Sequence, residues 1–141
     1  SVSAFLLNRS SDLRLVTYIN RGIIYDKKGY YKRAIGDYLH AIKINKYSPD
    51  AYYNMGLTHC KMKQYDDALE DFTEAININP NYGLAYYRRG LVYLELDNQQ
   101  FAKSDFKKAR QLEPKNQDIK QDLEKLNEML NKMLEPEEFY Y

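Results

Sequence analysis

The side chains best suited to covalent or acid–base chemistry are His40, His59 and Cys60. Neither histidine belongs to a His/Cys/Asp set with metal-ligand spacing, so neither a metal nor a cofactor is expected. His59 fills a slot that tyrosine occupies elsewhere in the chain, which predicts a packing role. Cys60 has no paired base in the pattern and reads as a small helix residue. Asp66, Asp67, Glu70 and Asp71 form an acidic run at the start of a helix. Carboxylates there favour the helix dipole, so the run reads as a solvated face. Gly83 and Gly90 follow no strand and make no phosphate loop. No nucleophile, base and electrophile can be assembled, so a non-enzyme is expected.

The elements that position these residues repeat. Gly22, Gly56 and Gly90 stand 34 residues apart. Tyr18, Tyr52 and Tyr86 precede them by four, and Ala34, Ala68 and Ala102 follow by twelve. Tyr38, Phe72 and Phe106 follow by sixteen, and Ala41, Ala75 and Ala109 by nineteen. Pro80 and Pro114 close the second and third units. Self-similarity at a fixed period means that each unit buries its apolar face against its neighbours. Within unit two, Tyr52, Tyr53, Met55, Gly56, His59 and Met62 fall at helical spacing. A polar break at Lys63-Gln64 separates them from a second stripe, Ala68, Leu69, Phe72, Ala75, Ile76 and Ile78. Asn79-Pro80-Asn81 is a stop signal. Glycine costs about 1 kcal/mol against alanine within a helix. Three at one register imply a shared packing demand.

This pattern resembles the tetratricopeptide repeat family, with Tyr rather than Trp at the first position and Lys46 in place of the unit-one proline. The resemblance implies an all-α fold, a right-handed superhelix of antiparallel helix pairs. The units are expected at 15–48, 49–82 and 83–116. Residues 1–14 are expected as an N-terminal extension or the remnant of a preceding repeat, because Asn8 to Asp12 breaks the apolar run Ala4 to Leu7. Residues 117–134 are expected as a capping helix, since Ile119, Leu123, Leu126, Leu130 and Met133 share one stripe. Their 4-3-4-3 spacing also fits a short coiled-coil seam, the weaker reading over two heptads. Residues 135–141 form an acidic-aromatic tail.

In the family the first helix of each unit lines a concave groove that binds peptides. The register places Ile19, Asn20 and Ile23 there from unit one. Unit two supplies Tyr53, Asn54, Leu57 and Cys60, and unit three supplies Leu84, Tyr87, Arg88, Leu91 and Leu94. Asn54 can both donate to and accept from a peptide backbone. Arg88 offers a planar fork for a carboxylate. Tyr53 and Tyr87 offer contact area at low entropy cost. One subclass of the family grips chaperone C-terminal carboxylates through five Lys, Asn and Arg slots. Asn54 and Arg88 match two of them, but Ile19, Ile23 and Leu84 occupy the others. The strict chaperone-tail reading is therefore rejected.

Composition limits the alternatives. Lys plus Arg is 21 and Asp plus Glu is 20, which leaves no basic case for nucleic acid. A single cysteine forbids an internal disulfide and points to a reducing, cytoplasmic setting. No apolar run approaches the roughly 20 residues of a membrane span. The leading expectation is a non-catalytic scaffold that binds a peptide or helix of a protein partner in the groove. The alternatives are a homo-oligomer, in which the tail or capping helix fills a neighbour's groove, and a spacer within a longer repeat protein.

Overall fold

The computed structural model describes residues 2–134, and the tail 135–141 lies outside the described residues. Among the described residues seven helices run in chain order: α1 (Val2–Lys27), α2 (Tyr31–Ile44), α3 (Pro49–Lys61), α4 (Tyr65–Ile78), α5 (Gly83–Glu95), α6 (Gln99–Leu112) and α7 (Gln117–Leu134). They divide between two compact units at the Pro80–Asn81 junction, α1–α4 in one and α5–α7 in the other.

The three glycines show why the period exists. A Cβ on Gly22 would lie 2.5 Å from Tyr38 Cε1, and one on Gly56 would lie 2.8 Å from Phe72 Cε1. On Gly90 it would lie 2.7 Å from the Phe106 ring. Each glycine is therefore the seat of the aromatic sixteen residues later, which joins the two helices of its pair. Phe72 and Phe106 are fully buried, as are Ala34, Ala41, Ala68, Ala75, Ala102 and Ala109. Burying one such phenylalanine contributes about 1.5–3 kcal/mol.

The turn inside each pair has a period too. Gly29, Lys63 and Asp97 all take left-handed backbone, with φ of 80°, 58° and 57°. Only unit one uses the residue that adopts this without strain. Pro49 opens α3 in its first turn, where its missing N–H costs nothing. The Phe101 N–H donates to Asn98 Oδ1 at the start of α6. The Ile119 N–H donates to Asn116 Oδ1 at the start of α7.

One expectation is corrected. The polar segment Asn8 to Asp12 does not interrupt the chain, because α1 runs through it without a break from Val2 to Lys27. An exposed helix tolerates polar residues on every face, and none of these five is Pro or Gly. The apolar run Ala4 to Leu7 is thus the start of the helix that becomes the first helix of unit one. At the other end, α7 lays Ile119, Leu123, Leu126 and Leu130 against a cluster with Tyr87, Phe106 and Ala109. Met133 stays exposed. The stripe that could have paired two chains is mostly spent on α5 and α6.

Candidate functional site

The first helices carry the predicted binding residues. On α1, Asn20 is exposed, Ile19 is half-buried, and Ile23 packs on a cluster of Ala34, Tyr38 and Met55. On α3, Tyr53, Asn54, Leu57 and Cys60 are all half-buried. The Tyr53 ring sits 5.8 Å from that of Phe72. Asn54 donates one amide N–H to the Asp50 carbonyl a turn earlier, at 2.8 Å. That bond fixes the side chain along the helix and leaves its second N–H and the lone pairs of its Oδ1 to be used. A polar trio beside them ties α1 to α3: Thr58 Oγ1 donates to Asp26 Oδ1 at 2.7 Å, and the Lys61 ammonium bonds the other oxygen.

On α5 the predicted residues separate. Leu84 and Arg88 are exposed, with the Arg88 guanidinium 5.8 Å from the Tyr87 ring centroid. Tyr87 itself is a core residue, which corrects its placement on an exposed face. Only 9% of it reaches solvent, and its ring lies 5.6 Å from Phe106. Its hydroxyl donates to Asp122 Oδ2 on α7 at 2.7 Å. Burial, and then Asp122, push the phenol up to about 12. Leu91 and Leu94 pack on the same cluster. The physical reason is α7, which covers the side of α5 that the repeat register alone leaves open.

A tetratricopeptide repeat family model matches residues 49–82, another matches residues 84–116, and a TPR repeat model matches residues 22–63. The chain belongs to the tetratricopeptide repeat family. Among solved structures, the first TPR of Spaghetti (RPAP3), bound to the HSP90 peptide SRMEEVD, is 28% identical with a TM-score of 0.80, covering 84% of this chain and 94% of that one. The Arabidopsis OM64 TPR domain is 26% identical, with a TM-score of 0.80 over 84% of this chain and 98% of that one. The second TPR domain of human RPAP3, in complex with the HSP70 peptide SGPTIEEVD, is 29% identical with a TM-score of 0.77 over 83% and 98%. No curated protein matches the chain. The fold class is therefore that of the tetratricopeptide repeats, all-α and built from antiparallel helix pairs.

This repeat protein contains a second periodic set that the sequence reading missed. Asp37, Asp71 and Asp105 share one register, and all three are buried. Asp37 receives Arg21 through two bonds of 2.8 and 2.7 Å, and Asp105 receives Arg89 through two of 2.8 Å. Donating hydrogen bonds to the aspartates pushes both guanidinium pKa values up. In unit two the arginine slot holds Met55, and Asp71 Oδ2 instead lies 2.6 Å from His59 Nδ1. Asp71 is thus corrected from the solvated face assigned to it, whereas Asp66, Asp67 and Glu70 are exposed. Burial pushes the Asp71 carboxyl up to about 6, against the pull of His59 and with Asp67 and Glu70 adding to the rise. The missed signal was the period itself. An aspartate one residue before each buried aromatic at Tyr38, Phe72 and Phe106 is not an ordinary surface acid.

Among the described residues no group of three or more His, Cys, Asp or Glu is arranged to hold a metal ion. None of the described helices is long and apolar enough to cross a membrane.

Proposed function

We propose that the chain is a non-catalytic protein-interaction scaffold that binds an extended or helical segment of a partner along the open sides of its first helices. Ile19, Asn20, Ile23, Tyr53, Asn54 and Leu57 supply such a face in the first unit, and Leu84 and Arg88 supply one of their own in the second. The supporting observation is a contrast within one register. Asn20, Asn54 and Arg88 stand at equivalent positions of α1, α3 and α5, exposed or half-exposed, where no helix pair needs a polar group for packing. Asn54 would read a peptide backbone, and Arg88 would take a carboxylate.

The solved relatives favour peptide binding, and two of them hold chaperone peptides ending in EEVD. In this chain Ile19, Ile23 and Leu84 replace three of the polar slots of the chaperone-tail subclass. Buried against aliphatic side chains, terminal carboxylates would lose water without gaining partners. The preferred ligand is therefore apolar with one acidic group, and its owner is a cytoplasmic protein. Calorimetric titration with SRMEEVD and with peptides selected from a random library tests this reading. Selected apolar-acidic peptides are expected to bind at least about tenfold more tightly, a difference of about 1.4 kcal/mol. Equal or tighter binding of SRMEEVD overturns the ligand assignment.

A further inference from the structure

The outer face of α2 carries a feature that the repeat scaffold does not require. Gly36 sits mid-helix, yet a Cβ there would meet nothing within 4 Å. Unlike Gly22 and Gly56, it seats no aromatic ring, although glycine within a helix costs about 1 kcal/mol. It lines a trough of about 600 Å³ together with Leu39, His40, Ile42 and Lys43. Leu39 is 52% exposed along it. The His40 ring is held as a wall, its Nδ1 2.8 Å from the Gly36 carbonyl and its plane stacked on Tyr18 at 5.1 Å. Lys32 lies one turn before Gly36, on the same side of the helix.

The sister repeats provide an internal control. At the register of Gly36, Leu39 and His40, unit two has Glu70, Thr73 and Glu74, and unit three has Ser104, Lys107 and Lys108. An apolar trough with a basic rim is thus particular to unit one. The exposed charged residues of α2, Lys32, Arg33 and Lys43, are all basic, and its one acid, Asp37, is buried under Arg21. The neutral total conceals this. Residues 15–48 contain seven Lys and Arg against two Asp and Glu, while residues 117–141 contain three against seven.

We propose that this trough is a docking site for residues 135–141 of a second copy of the chain, Glu135-Pro136-Glu137-Glu138-Phe139-Tyr140-Tyr141. The tail has three carboxylates, three aromatic rings and no basic residue. Its aromatic side chains match the Leu39–Ile42 floor, and its glutamates match the lysines at either end. The contact joins two different surfaces, so one molecule can give its tail and receive another's. The surface lies on a second helix and does not depend on the first-helix reading proposed above.

Complementation between full-length variants tests it. Gly36→Glu/Leu39→Thr installs the residues that unit two carries at this register, so the helix tolerates them. Glu137→Lys/Glu138→Lys removes the tail's charge complement. Sedimentation velocity at low salt should show concentration-dependent association of the parent and a monomer for each variant alone. Their mixture should form a heterodimer that grows no further, since one has an intact tail and the other an intact trough. A labelled 135–141 peptide should bind the parent at least about tenfold more tightly than the trough variant. It should weaken several-fold as salt rises. Lys43→Glu, a change confined to the exposed rim, should reduce binding in the same direction with the circular dichroism unchanged. A peptide that fails to bind the parent up to about 1 mM overturns the proposal, as does equal binding to the trough variant. A parent that binds the added peptide yet stays monomeric overturns the assignment to a second copy.

Discussion

His59 Nδ1 lies 2.6 Å from Asp71 Oδ2, in the place where units one and three set an arginine against the equivalent aspartate. The exchange changes the acid behaviour of the middle unit. Asp71 titrates near 6 in the folded chain, above its unfolded value of about 3.9. Its contribution to stability is therefore fully present below pH ~3.9 and is lost as pH rises through about 6. Asp71→Asn keeps the shape of the neutral acid and cannot ionise. Measured by urea unfolding, the variant should gain on the parent by on the order of 1–3 kcal/mol between about pH 4 and pH 7. A difference that does not change with pH contradicts the raised carboxyl.

Gly56 and Phe72 make a second pair whose contact can be broken cleanly. A methyl group on Gly56 would wedge against the ring at 2.8 Å. Gly56→Ala, a change that favours an isolated helix, should instead destabilise the protein by about 1–3 kcal/mol. The control is Gly36→Ala, with nothing within 4 Å of the new atom, which should stabilise by up to about 1 kcal/mol. Thermal denaturation of the two variants should therefore move in opposite directions.

Lys63 holds left-handed backbone at φ 58°, at the turn where unit one has Gly29. Left-handed conformation costs a residue with a Cβ about 1–2 kcal/mol. Lys63→Gly removes that strain and adds chain entropy to the unfolded state. A net stabilisation of about 0.5–1 kcal/mol is expected from denaturant midpoints. Destabilisation would mean that the lysine side chain has a stronger role at the turn than its backbone.

Tyr87 joins α5 to α7 through Asp122. Tyr87→Phe keeps the ring against Phe106 and removes the hydrogen bond, at a cost of about 0.5–1.5 kcal/mol. Faster amide exchange along α7 should report the loss. Because Tyr87 is buried, peptide affinity should change less than about twofold, whereas a groove role would lower it further.

Much of the fold is legible in the sequence. The glycine, alanine and aromatic periods specified paired helices, because only residues of those sizes let two helices approach at that register. The stop at Asn79-Pro80-Asn81 is local chemistry and can be read locally. The continuity of α1 was not legible, since a run of Asn, Arg, Ser and Asp is as common in a long exposed helix as in a loop. Tyr87 and Leu91 were placed on an open face because repeat register says nothing about a terminal helix that covers the last unit. Asp71 was hidden in an acidic run whose other members are exposed, and its own period was the clue. Gly36 could not be distinguished from a seat for an aromatic ring until the space around it was known.

The most direct test of the account concerns Asn54 and Arg88. A peptide selected from a random library against the full chain is titrated by calorimetry into the parent and into Asn54→Ala/Arg88→Ala. The account predicts an apolar peptide with one acidic group whose affinity for the double variant falls about tenfold or more, with helix content unchanged. Unchanged affinity in that variant would contradict a binding face on the first helices.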